Sequence, residues 1–219
     1  HERLLMMAWK WLGEDETYCM GLPNYPRWKK NKKDDKALVK DLWNLLDRAD
    51  IVIAHNGNSF DVKVANTFFL AHGLGPVSFF RSIDTKLVAK RYFRFKSNSL
   101  DDLGEYLGLG RKMETGGKEL WRQCMLGNPD AWEVMRKYNI QDVDLLEKIY
   151  LKMLPFMANH PNMNVYLDDV DPRCRNCQSG NIESRGFAFS NVGKAPRFKC
   201  KDCGAWSQGK YISVGMSVR

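Results

Sequence analysis

Apolar residues come in short blocks separated by polar turns, and the spacing within each block predicts its element. Residues 3–11 are bulky and apolar, Gly13-Glu14-Asp15 turns, and residues 17–22 resume, which predicts a β-hairpin. Residues 24–33 read as a basic, proline-containing loop. After Asp34 or Asp35, either of which can cap a helix, Ala37, Leu38, Leu42, Leu45, Leu46 and Ala49 share one helical face. Ile51–Ala54 is short and wholly apolar, as in a strand buried in a parallel sheet. Residues 60–71 predict a helix with Gly73 at its C-terminal cap, and residues 77–83 a further strand. Helices are predicted over Thr85–Tyr92, over 100–107 behind a Ser97 or Ser99 cap, and over Lys118–Leu126. The longest helical pattern is Pro129–Met153, with Trp132, Met135, Ile140, Val143, Leu146, Ile149 and Tyr150 recurring at helical spacing.

A hairpin followed by alternating helices and strands predicts an α/β domain with a mixed sheet over residues 1–158. Residues 159–171, with their Asn-rich turns and Asp168-Asp169, read as a linker to a small module over 172–219. The 219 residues, 12% aromatic with seven Trp, exclude a disordered or low-complexity chain. Apolar runs are far shorter than the roughly 20 residues of a membrane span, and no basic-then-apolar signal segment opens the chain. The expectation is therefore a cytoplasmic protein of a bacterial or phage-infected cell, with no membrane partner.

Charge separates the two parts. Of the net charge of +8, residues 172–219 carry +7 from nine Lys/Arg against Glu183 and Asp202. A concentrated positive field suggests a polyanionic partner. In the same module stand Cys174-x-x-Cys177 and, after 22 residues, Cys200-x-x-Cys203. Two such pairs have the layout of a four-cysteine structural Zn²⁺ site, with residues 183–189 and 196–199 as strands of a zinc ribbon. Disulfides are the alternative, disfavoured in a reducing compartment. Phe187, Phe189, Phe198, Trp206 and Tyr211 interleave with the cations, a pattern suited to stacking bases of a single strand. Phe187 and Phe198 are the residues expected to form the ribbon's own core instead; Trp206 fits either role.

Two carboxylates elsewhere stand out. Asp61 follows the predicted strand Ile51–Ala54, where α/β sheets place ligands, although a helix-opening Asp is also an ordinary first-turn acid. Tyr138 and Asp142, four residues apart, share the helix face that carries Met135 and Leu146. A carboxylate near a core needs a partner, and a metal ion is one; a packed Tyr beside a solvated Asp is the plainer account.

Asn56-x-x-x-Phe60-Asp61 followed by Tyr138-x-x-x-Asp142 resembles the second and third motifs of the DEDD (DnaQ-like) 3′–5′ exonucleases, and the Tyr resembles their DEDDy branch. Asp84-Thr85 and Asn98-Ser99-Leu100-Asp101-Asp102-Leu103 resemble the region between those motifs. The resemblance covers residues 1–157 and implies a ribonuclease-H-like mixed sheet flanked by helices. It implies two-metal-ion hydrolysis of phosphodiesters with Mg²⁺ or Mn²⁺. Asp61 and Asp142 would be metal ligands and Tyr138 would orient the attacking water. Asn56 and Phe60 would meet the substrate, a single-stranded DNA or 3′ end. The family's first motif, Asp-x-Glu on the opening strand, does not occur in this sequence, where Glu2 and Asp84 are the only stand-ins. The expectation is an upstream strand; the alternative is a catalytically inactive nucleic-acid-binding protein, or a partner-binding ribbon protein, with a degenerate nuclease fold. Two basic groups, Lys29, Lys30, Lys32 and Lys33, and Lys86, Lys90, Arg91, Arg94 and Lys96, read as solvated loops or as flanks of a nucleic-acid groove. His55 and His72 read as structural.

Overall fold

In the computed structural model, residues 3–167, 171–191 and 193–213 are described, and the chain divides into compact units 1–150 and 151–219. Glu2, Asp168 and Asp169 lie outside the described residues.

The first unit opens with the expected hairpin, β1 (Met6–Trp9) antiparallel to β2 (Tyr18–Gly21), with Trp9 stacked on Tyr18 at the end next to the turn. The basic stretch that follows is not all loop. Pro26 starts a short helix, α1 (Pro26–Lys30), because Trp28 is buried edge-on against Trp132. Lys32 lies over the Trp28 ring at 3.3 Å, so one of the four loop lysines is committed to a cation–π contact. Helix α2 (Lys36–Asp47) begins after Asp35, whose carboxylate does not cap it. Asp35 is instead buried, accepting from Leu4 N and bonding His72 Nε2 at 2.9 Å. Asp34 accepts from Lys36 N.

The strand β3 (Ile51–Ala54) leads through a turn into α3 (Asp61–Ala71). Of the predicted strand over 77–83, only β4 (Arg81–Asp84) forms, parallel to β3 with Ala54 opposite Asp84. Thus antiparallel and parallel pairings both occur, in separate two-stranded ladders; among the described residues β1 pairs only with β2, and β3 only with β4. Helices α4 (Thr85–Tyr92), α5 (Leu100–Tyr106), α6 (Lys118–Leu126) and α7 (Pro129–Met153) follow. The Ser99 hydroxyl accepts from Asp102 N and caps α5. Trp132, Met135, Leu145, Ile149 and Tyr150 of α7 are buried, and the same stripe carries Tyr138 and Asp142. Leu4 and Leu42 pack against both of this unit's principal clusters, one around Leu38, Trp28 and Trp132, the other around Val39, Phe68 and Phe69.

In the second unit β5 (Ile182–Ser190), β6 (Gly193–Cys200), β7 (Trp206–Gln208) and β8 (Ile212–Ser213) form an antiparallel ribbon, with both β7 and β8 paired to β6. A register break between Ser184 and Phe187 accompanies Gly186 at φ +77°. The expected core role of Phe187 is not observed. Its ring is exposed, with Lys194 Nζ 4.7 Å from the centroid, whereas Phe198 is half-buried. The buried centre is Cys174, Cys200 and Ala205. Part of the stretch read as a linker is tied down: Met163 N donates to Arg175 O, and Asn164 Nδ2 to Arg173 O.

Candidate active site and four-cysteine centre

The turn after β3 is built around backbone demands. Asn56 sits at φ +66°, a left-handed conformation that Asn tolerates better than most residues. Gly57 follows, and a Cβ there would lie 2.4 Å from the Ala54 Cβ. The parallel register brings Asp84 alongside. Its carboxylate, 4% exposed, accepts from Asn56 N at 2.9 Å, Asn58 N at 3.2 Å, Lys86 N at 3.0 Å and Leu87 N at 3.4 Å. Accepting from four backbone N–H groups, three of them on Oδ1, Asp84 anchors the turn and caps α4. His55 is likewise structural: Nδ1 bonds Thr85 Oγ1 and Nε2 bonds Asn98 O, and burial lowers its pKa.

The anchored turn presents two residues outward. Phe60 is 60% exposed. Asp61 is the first residue of α3, behind the N-cap Phe60, and its own backbone N–H meets its carboxylate. Although its surface is open, the surrounding protein desolvates the Asp61 carboxyl and raises its pKa, and the Asp84 charge adds to this. A carboxylate raised in this way gains from a nearby cation.

On α7, Asp142 is one turn beyond Tyr138. Lys112 Nζ lies 2.6 Å from Asp142 Oδ2 and 5.0 Å from the Tyr138 ring centroid. The other oxygen, Asp142 Oδ1, is buried with no hydrogen-bond partner. Such an atom is costly unless a ligand completes it, so the donor set fits a divalent cation, which favours carboxylate oxygens. Lys112 also connects the two motifs electrostatically, since its charge helps lower the pKa of His55 at the end of β3. Among the described residues, no three carboxylates or histidines converge at metal-binding distance; the one such group is made of cysteines.

That group is Cys174, Cys177, Cys200 and Cys203, whose sulfurs all lie within 4.8 Å of one another. The Cys174–Cys203 and Cys177–Cys200 sulfurs are 3.6 and 3.7 Å apart. A tetrahedron with Zn–S near 2.3 Å has edges of about 3.8 Å, whereas a disulfide needs about 2.05 Å. All four are free thiols. The cluster is therefore compatible with a zinc ribbon, and the spacing excludes disulfides. Burial opposes ionisation of Cys200, but N–H groups of Cys203 and Asp202 aimed at its sulfur hold its pKa down to about 7. Both knuckles close by backbone bonds, Gln178 N to Cys174 O and Gly204 N to Cys200 O.

The RNase H superfamily family model matches residues 15–154. The chain belongs to the RNase H superfamily. No curated protein matches it. The matched span of this RNase H superfamily chain holds Asn56, Phe60, Asp61, Tyr138 and Asp142 and ends before the first cysteine pair. Members of the superfamily are generally nucleases that use divalent metals, so the domain indicates a nuclease-like function with nucleic acid as substrate. Among the described residues, no helix is long and apolar enough to cross a membrane.

Sequence reasoning missed Lys112. It lies in a loop between Gly110 and Gly116, with no periodicity to give its side chain a direction. Two neighbours fix that loop: Lys112 N donates to Asp101 Oδ1, and Gln141 Nε2 donates to Arg111 O. The pairing of Gln141 with Asp142 on α7 is the one sequence hint, and it has no meaning until α5, the loop and α7 are packed together.

Proposed function

We propose that the chain is a metal-dependent 3′–5′ exonuclease of the DEDDy type, hydrolysing terminal phosphodiester bonds of single-stranded nucleic acid. The observation that carries this reading is the Asp142–Tyr138 face, a carboxylate with one buried, unpartnered oxygen one turn from a tyrosine, within an RNase H superfamily domain. Mg²⁺ or Mn²⁺ held there would supply Lewis-acid stabilisation and an activated water. Asp142 and Asp61 would hold the ions. Tyr138, whose hydroxyl meets Lys112, orients the water against the phosphate. The exposed Phe60 ring stacks on the terminal base, and Asn56 holds the backbone beside it. An Asp-x-Glu strand added to the free edge of β3 would bring the remaining acids.

In this proposal the domain over 1–158 performs the chemistry and the ribbon over 172–219, stabilised by Zn²⁺, grips the strand. Trp206 supports that role: it is 46% exposed, with Arg197 4.8 Å and Lys199 6.0 Å from its ring. The competing reading, an inactive nucleic-acid-binding protein, draws on one observation: Asp84, the acid whose charge acts on Asp61, accepts from four backbone N–H groups. One assay separates them. Strands labelled at the 3′ or 5′ end are incubated with Mg²⁺ or Mn²⁺ and the chain, with and without an added Asp-x-Glu strand. Shortening from the 3′ end by the extended chain, abolished by Asp142→Asn, is the expected result. Shortening from the 5′ end or without metal refutes the assignment, and binding without hydrolysis by both forms establishes the competing reading.

A further inference from the structure

We propose that Lys112 is a displaceable counter-ion, whose ammonium group holds Asp142 and Tyr138 before metal loading and yields the carboxylate to a divalent cation. The proposal rests on the metal-binding reading of Asp142 above. Lys112 Nζ bonds Asp142 Oδ2 at 2.6 Å and reaches the Tyr138 side chain, so one cation serves both residues of the motif. It occupies one side of the carboxylate only, because Asp142 Oδ1 stays buried without a partner. A single ammonium therefore satisfies half of this group, and an ion that binds carboxylate oxygens has a place beside it from the outset.

The geometry also allows release. The Lys112 backbone is pinned on both sides, by Asp101 through its own N–H and by Gln141 through the Arg111 carbonyl. Arg111 further anchors the loop through Asp101 at 3.0 Å and Glu105 at 3.2 Å. What remains free is the four-carbon stem. Its side chain is 30% exposed, so the ammonium has a path to water. Lysine is suited to this exchange: it is a strongly hydrated point charge on a flexible stem, without the fixed fork that holds arginine to a carboxylate. Exchange keeps Asp142 paired in both states, so neither the empty nor the loaded site leaves a buried charge uncompensated.

Two measurements on the full chain, in equimolar Zn²⁺ to keep the cysteines occupied, test the exchange. The first maps reductive methylation of lysines by mass spectrometry on the wild-type protein, so no variant has to fold. Lys112 is expected to be protected without Mn²⁺ and to react several-fold faster at saturating Mn²⁺, other lysines being unchanged. The second titrates Mn²⁺ by the loss of its free spin-resonance signal. An opposite charge beside a carboxylate alters its affinity for a cation about tenfold or more. Lys112→Met should therefore bind Mn²⁺ at least that much more tightly, and Lys112→Arg should not. Binding that depends on Asp142 yet leaves Lys112 protected, or that is unchanged or weaker in Lys112→Met, overturns the exchange while the nuclease reading stands. Binding insensitive to Asp142→Asn, or none in either protein, overturns the metal site itself and the exchange with it.

Discussion

The turn that presents Asp61 has almost no tolerance at Gly57, and Gly57→Ala measures this. The added Cβ would lie 2.4 Å from the Ala54 Cβ, where ordinary contact begins near 3.4 Å, so the turn and strand end must part by about 1 Å. They are not free to part. Asp84 grips Asn56 N and Asn58 N, one on each side of Gly57, and Val62 N bonds the Gly57 carbonyl. Relief therefore requires overpacking strain, typically 1–3 kcal/mol, or loss of a hydrogen bond to a charged group, about 1.5–3 kcal/mol. The expected cost is about 1–3 kcal/mol. For a domain of about 150 residues each kcal/mol lowers Tm by roughly 2–4 °C, giving a fall of roughly 2–12 °C. Thermal unfolding by calorimetry measures it, with Gly75→Ala as control, since nothing lies within 4 Å of a Cβ at that position. If the strain runs through the Asp84 clamp, Gly57→Ala and Asp84→Asn together should cost less than the sum of the two. A Tm within about 1 °C of wild type, or strictly additive costs, would refute the reasoning.

Chelating the metal should unfold the ribbon, because structural zinc contributes on the order of 10–16 kcal/mol and the buried centre is mostly the ligands themselves. Hydrogen exchange should show protection lost across β5 and β6, and retained protection would refute it. Asp61→Asn should raise the metal-free Tm at neutral pH and remove stabilisation by Mn²⁺. The sign follows from a carboxyl whose pKa is raised on folding: ionised Asp61 destabilises the native state, and stability is gained as pH falls through the raised value. A metal-free Tm for Asp61→Asn equal to that of wild type at neutral pH would contradict it. Trp206→Ala should weaken single-strand binding by about 1–3 kcal/mol without changing the salt slope, whereas Arg197→Ala should flatten that slope; fluorescence anisotropy at several salt concentrations distinguishes them.

Much of this molecule was legible residue by residue. Two C-x-x-C pairs define a chelate within a few residues, so the four sulfurs converge whatever the rest of the chain does. The stripe on α7 repeats every three or four residues, which alone places Tyr138 and Asp142 beside Met135 and Leu145 and away from open water. The alternation of helix and strand marks an α/β domain, in keeping with the RNase H superfamily. Each of these is a short-range regularity, set by backbone geometry over a turn or two. The rest depended on which distant segments met. Asp84 read only as a stand-in acid until the β3–β4 register set it opposite Ala54 and gave its carboxylate four N–H groups. Residues 24–33 looked like a loop until Trp132, a hundred residues away, supplied the surface that buries Trp28. Lys112 had no assignable role until packing of α5 and α7 aimed it at Asp142. A side chain's type states which partners it can accept, but only packing and strand register decide which partner arrives.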